Sequence, residues 1–260
     1  QEKFLRFSRS HQILTIRFVL FSFLLSSCVN KMEPNYQREL NLNEQFVQEQ
    51  FDSDLININL NNNTSFAMLQ NVEGLKQPIL LLHGRGLYPN EPLVMNPIRE
   101  GLESRYNIFS IQLPVLKKKA TYYEYQKIFT YSNERISVAL EKIYSEHGQV
   151  IVVAHSCGAH MLSSYLDSQG GKYIDSVVLL GAGAVDKDQT ATFFDYSKLD
   201  LRLLNIYGEF DHNSVLEHND FLVSLKSEHI TYEMVSDADH YYRDQSESVV
   251  LILKKWLISR

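Results

Sequence analysis

A chain of 260 residues with 44% hydrophobic and 22% charged side chains, 11 Gly and 6 Pro is composed like an ordinary globular protein, which excludes collagen-like, repeat and wholly disordered classes. Its formal net charge of -6 lacks the basic footprint that a nucleic-acid binder needs, so no nucleic-acid partner is expected. The dense basic block Lys117-Lys118-Lys119 reads as a solvated loop.

The chain opens on a positive segment carrying Lys3, Arg6, Arg9 and Arg17, followed by the apolar stretch Phe18–Leu25 and then Ser26, Ser27 and Cys28. A basic start, a short apolar run and small residues before a cut make a secretory signal over 1–27. The run falls short of the roughly 20 apolar residues that span a bilayer. Leu25-Ser26-Ser27-Cys28 resembles the bacterial lipobox. That resemblance implies cleavage before Cys28 and diacylglycerol attachment to it, placing the protein on a membrane surface of the bacterial cell envelope rather than across it. Val29 stands where an acidic residue would favour the inner membrane in lipoproteins, so the pattern leans to the periplasmic side of the outer membrane. Residues 28–53 are rich in Asn, Gln and Glu without a clean period, and are expected to form a polar tether with a short helix near 42–51. The two cysteines, Cys28 and Cys157, each have another explanation, so no disulfide between them is expected.

From residue 54 the pattern becomes that of a folded domain ending at 260. Leu55–Leu60 alternates as a half-buried strand, Asn61-Asn62-Asn63 signals a turn, and Thr64–Gln70 reads as the returning strand of a hairpin. Pro78–Leu82 is a continuous apolar run suited to a central parallel strand. Helical patterns follow over 92–105, 123–147, 157–168, 214–227 and 244–258, with Ile128, Ile136, Leu140 and Ile143 as core positions of the long second one. Strands are expected over Tyr106–Leu113, Gln149–Ala154, Ser176–Leu180, Leu201–Tyr207 and Ile230–Val235. Strands alternating with helices predict an α/β fold, a mostly parallel sheet with helices on both faces. The longest irregular pieces, about 114–123 and 182–199, follow strand C-terminal ends, where open α/β sheets bind ligands.

The chemistry concentrates in Val150-Ile-Val-Val-Ala-His-Ser-Cys-Gly-Ala159, a strand running straight into Ser156 and then a helix. This is the setting of a nucleophile elbow. The turn strains the serine backbone and needs small neighbours, here Ala154 and Gly158. It also puts Ser156 at a helix N-terminus, where N–H groups favour developing negative charge.

With Leu82-His83-Gly84-Arg85-Gly86 upstream, this segment resembles the α/β-hydrolase superfamily, over residues 54–260. Leu81–Gly86 with Pro97-Ile-Arg99 and Gln112-Leu-Pro114 further resembles a small bacterial family of α/β-hydrolase-like proteins of unassigned function. The resemblance implies Ser156 as nucleophile, an oxyanion hole from the backbone N–H groups of Arg85 and Cys157, an acid after the strand ending in Gly208, and a histidine after the last strand. Asp211 sits at the family spacing from that glycine, with Glu209 as an alternative. Among nine histidines His240 has the matching position; His155 reads as an elbow bystander, His212 lies too close to Asp211, and His229 precedes its strand.

The implied function is a serine hydrolase of the esterase type, without cofactor, acting on a small-molecule ester, thioester or amide. A lipid-tethered binding or assembly protein that keeps the fold without turnover is the competing class. A metallohydrolase lacks ligands: His155 and His160 are five residues apart and there is no His-Glu-x-x-His. Tyr122, Tyr123, Tyr125, Phe193, Phe194 and Tyr196 in the two long inserts either line an apolar acyl pocket or pack beneath the loops. The shortness of both inserts predicts a minimal cap and a preference for short to medium acyl chains.

Overall fold

The structure, a computed structural model, describes residues 32–47, 54–61 and 63–259. The signal expected over 1–27 and Cys28 lie outside the described residues. The stretch expected as a tether is not all irregular: it holds helix α1, Tyr36–Val47, earlier than the helix expected near 42–51. Composition pointed to a solvated segment because most of α1 is polar, but two charged side chains anchor it. Glu39 is 4% exposed and pairs at 3.0 Å with the equally buried Arg135.

The hairpin follows as β1 (Asp54–Asn59) and β2 (Ser65–Asn71), antiparallel and in register from Asp54↔Gln70 to Asn59↔Ser65. Then come β3 (Pro78–Leu82), α2 (Met95–Leu102), β4 (Asn107–Ile111), α3 (Tyr122–Gln126), α4 (Phe129–His147), β5 (Val150–His155) and α5 (Cys157–Gln169). The chain ends with β6 (Ile174–Leu180), β7 (Arg202–Gly208), α6 (Asn213–Ser224), β8 (Ile230–Val235) and α7 (Ser246–Ile258). The eight strands form one sheet in the order β1-β2-β4-β3-β5-β6-β7-β8. β3 to β8 run parallel, and β2 joins β4 antiparallel.

Alternating side chains of the central strands feed two cores, as the period of a strand requires. Leu80, Leu82, Val152, Ala154, Val177 and Leu179 face one side, with Ile136, Leu140 and Ile143 of α4 and Leu162 and Leu166 of α5. Ile79, Leu81, Ile151, Val153, Val178 and Leu180 face the other, with Met95 and Ile98 of α2 and Val249 and Leu253 of α7. Strands buried on both faces explain the continuous apolar runs in the sequence.

Two further helices depart from their expected limits for reasons visible in their contacts. The helix expected from 92 begins at Met95, because the buried Glu91 carboxylate accepts the N–H groups of Leu93, Val94 and Met95 and turns the chain first. The helix expected over 123–147 is broken at Lys127–Ile128 into α3 and α4. Thr121 starts α3 with a capping box to Glu124, and the Tyr125 hydroxyl accepts the Leu116 N–H at 2.9 Å, tying α3 to the preceding insert. Ile128 stays fully buried through the break, so the apolar spacing does not reveal it. Among the described residues, no helix is long and apolar enough to cross a membrane.

Candidate active site

β5 ends in His155, and the chain turns at Ser156 with φ 54° and ψ -121° before α5 begins at Cys157. Such a backbone is held only where its surroundings fix it, at a cost of about 1–3 kcal/mol. Ser156 N–H donates to Leu180 O at 2.8 Å on neighbouring β6. Gly158 is needed for contact rather than for φ: a Cβ there would lie 2.6 Å from both Leu82 O and His83 O. The elbow is thereby wedged against the end of β3.

Two loops bring their side chains to this turn. Asp211 follows the end of β7, and His240 follows β8. His240 Nδ1–H donates to Asp211 Oδ1 at 2.7 Å, leaving Nε2 to accept the Ser156 hydroxyl at 2.8 Å. All three residues are at least nine-tenths buried, with Ser156 the most open at 9%. Burial alone would push the Asp211 carboxyl up. The hydrogen bond and charge of His240 and the N–H groups of His212 and Gly208 outweigh it and hold the carboxyl below its usual range. Gly181 leaves room for the pair, since a Cβ there would stand 3.0 Å from the His240 ring and 3.2 Å from Asp211 Oδ2. Glu209 instead accepts the N–H of Asp237 at 3.0 Å, within the turn that precedes His240.

Arg85 and Cys157 flank the serine from two elements. Among the described residues, neither backbone N–H has a hydrogen-bond acceptor. The Arg85 N–H is aimed indirectly. Its peptide is planar and trans, so fixing the Gly84 carbonyl fixes the N–H on the opposite edge. That carbonyl accepts from His83 Nδ1 at 2.8 Å and from the Leu87 N–H at 3.3 Å. His83 Nε2 accepts the Leu113 N–H at 3.0 Å and so carries no proton. Burial keeps this ring neutral, pulling its pKa down to about 4. The Cys157 thiol is buried and pushed up to about 12, so it offers no thiolate.

The Arg85 side chain pairs with both oxygens of Asp186, at 2.5 and 2.8 Å. Asp186 also accepts the Tyr122 N–H at 2.6 Å, Gln189 accepts the Tyr123 N–H at 3.2 Å, and the Tyr123 hydroxyl accepts the Thr190 N–H at 3.0 Å. The two long inserts are thus stitched together beside the serine. Their aromatics divide. Tyr125 and Tyr196 are buried, the latter bonded to Ser163 Oγ at 2.6 Å, and pack beneath the loops. Tyr122, Phe193 and Phe194 line a cavity of about 370 Å³ with His160, Asp167 and Lys198. Ser156 does not line it; His160, one helical turn further along α5, does. Lys117, Lys118 and Lys119 are exposed.

His155, read in the sequence as a bystander, has a definite role. Its Nε2–H donates to the backbone carbonyl of His240 at 3.0 Å, and burial lowers its pKa to about 3. The neutral ring pins the loop that carries His240. Sequence gave no signal for this, because the two residues are 85 apart in the chain. The His212 ring lies tilted against that of His240 with centroids 4.6 Å apart, and His229 lies before β8. Among the described residues, no group of three His, Cys, Asp or Glu side chains is placed to hold a metal ion.

Fold and geometry together define the class: the chain has the α/β-hydrolase fold. It is similar to an esterase of Pyrococcus furiosus (TM-score 0.61, 15% identity, 80% of this chain and 90% of that one). It is also similar to an alpha-beta serine hydrolase homologue of Coxiella burnetii (0.61, 13%, 80% and 99%) and a carboxylesterase of Bacillus subtilis (0.60, 11%, 86% and 99%). No protein-family model and no curated protein sequence matches the chain.

Proposed function

We propose that this protein is a serine hydrolase that cleaves a carboxylic ester, thioester or small amide through an acyl-enzyme on Ser156. The observation that carries this reading is the unbroken relay Ser156 Oγ–His240 Nε2 and His240 Nδ1–Asp211 Oδ1, at 2.8 and 2.7 Å, at a strained elbow. His240 takes the Ser156 proton as Oγ attacks the carbonyl carbon, then gives it to the leaving alcohol, thiol or amine. Water deacylates the enzyme by the same route in reverse. Asp211 fixes the tautomer and stabilises the imidazolium. The N–H groups of Arg85 and Cys157 receive the oxyanion, and losing one such donor typically costs about 3–4 kcal/mol of transition-state stabilisation. Esterases among the similar folds support the substrate class.

Fluorophosphonate labelling tests the reading. The wild-type protein should be labelled, and folded Ser156→Ala should not. Absence of labelling in the folded wild-type protein would favour a binding protein that keeps the fold without turnover. The short inserts favour short to medium acyl chains, and faster turnover of long-chain esters in an acyl-length panel would count against that preference.

The reading extends to the address. We propose that Cys28 is lipidated and holds the enzyme on the cell-envelope membrane, on the strength of Leu25-Ser26-Ser27-Cys28 after an apolar run. Incorporation of an alkyne fatty acid that survives Cys28→Ala would contradict it.

A further inference from the structure

We infer that Arg38, on α1 outside the sheet, is a positioning residue for the oxyanion loop, so that α1 is part of the working enzyme. The inference rests on the hydrolase reading above.

The Arg38 guanidinium makes no ion pair among the described residues. It donates from Nη2 to the Gly86 carbonyl at 2.8 Å and from Nη1 to the Leu116 carbonyl at 2.6 Å. Gly86 directly follows Arg85, whose N–H is one proposed oxyanion donor. Gly86 has φ 71°, and a Cβ there would lie 3.2 and 3.3 Å from the two Arg38 nitrogens, so the guanidinium packs closely against the turn. The turn thus has a hold on each side of Arg85: His83 on the Gly84 carbonyl and Arg38 on the Gly86 carbonyl. The Gly86 carbonyl shares its planar peptide with the Leu87 N–H, which donates to the Gly84 carbonyl at 3.3 Å, so Arg38 steadies the group that, with His83, orients the peptide carrying the Arg85 N–H. A preorganised donor is what oxyanion stabilisation needs.

The helix that carries Arg38 is itself held in place. Glu39 Oε2 accepts from Arg135 Nη2 at 3.0 Å, and Arg135 Nη1 donates to the Gln112 carbonyl at 2.9 Å. Glu39 Oε1 accepts the Val115 N–H at 3.0 Å, and the Val115 carbonyl accepts the Asn35 N–H at 2.7 Å. The segment 112–116 is therefore clamped between α1, α4 and Tyr125, and it in turn holds His83 through the Leu113 N–H. Both holds on the oxyanion turn run back to one buried ion pair and one arginine on α1. A guanidinium meets the two carbonyls with two nitrogens fixed in one plane, whereas an ammonium has one nitrogen on a flexible stem and holds them less rigidly.

The test compares full-length wild type, Arg38→Ala, Arg38→Lys and the exposed control Gln37→Ala. Initial fluorophosphonate labelling rates, kcat and KM on a short-chain p-nitrophenyl ester, and the thermal midpoint are measured for each. Loss of alignment should slow labelling and kcat by about 10- to 100-fold in Arg38→Ala, with KM changed less than about threefold. Millimolar methylguanidinium should restore part of that loss. Arg38→Lys, which keeps the charge and the stem, should fold like wild type and still lose severalfold in kcat. Wild-type kcat and labelling in either folded variant would overturn the inference, as would a loss confined to KM. An unlabelled wild-type protein would remove the hydrolase reading and this inference with it; a labelled wild type matched by its variants removes this inference alone.

Discussion

Asp211 and Glu209 sit two residues apart in one turn, yet only Asp211 meets His240; Glu209 is spent on the N–H of Asp237. The two carboxylates should therefore separate in activity. Asp211→Asn keeps the shape but loses the tautomer control, and should lower kcat by about 10⁴-fold. Glu209→Gln should stay within a few fold of wild type. Equal losses in the two variants, measured on one ester, would contradict this assignment. The order Ser156, Asp211, His240 was legible because each residue stands just past a strand end, and strand ends were marked by apolar runs. The part played by His155 was not legible, because it depends on a carbonyl brought from the far end of the domain.

At the scale of elements, the elbow between β5 and α5 depends on one missing methyl group. In Gly158→Ala the new Cβ would meet two backbone carbonyls at 2.6 Å, and backbone cannot rotate away as a side chain can. The elbow or the end of β3 must shift, at a cost of about 1–3 kcal/mol. A denaturant midpoint lowered accordingly, with slower fluorophosphonate labelling, is the expected outcome; an unchanged midpoint and rate would show the contact relaxes freely. Most elements were readable because β3, β5 and β6 are buried on both faces and α4 presents one apolar stripe. The break between α3 and α4 was not, since Ile128 keeps its place in the stripe while Tyr125 is drawn aside to Leu116. Nor was the docking of α1. A helix whose attachment is the pair Glu39–Arg135 and the fork of Arg38 has no apolar period to announce it.

At the scale of the whole fold, burial acts on the charge of several histidines among the described residues. Burial lowers His83 and His160 to about 4 and His155 and His218 to about 3. In the unfolded chain each would titrate near its ordinary value of about 6.5. Folded pKa values below the unfolded ones mean that the unfolded state binds more protons as pH falls. The stability these rings contribute is complete above about 6.5 and is lost progressively down to about 4 and then about 3. Each ring can lose up to about 1.4 kcal/mol per pH unit below about 6.5, or roughly 2 kcal/mol between pH 7 and pH 5, so a pronounced loss of stability over that interval is expected. Denaturant titrations at the two pH values measure it, and a flat response would contradict the burial of these neutral rings.

The central claim, that Ser156 carries the acyl group, is tested most directly by trapping that group. The protein is mixed with an activated short-chain ester, quenched in acid within the first turnovers, digested and analysed by mass spectrometry. The acyl mass should appear on the peptide that contains Ser156, and it should be absent, along with turnover, in Ser156→Ala. Ester turnover that survives in Ser156→Ala, or an acyl group mapped to a different residue, would contradict the account.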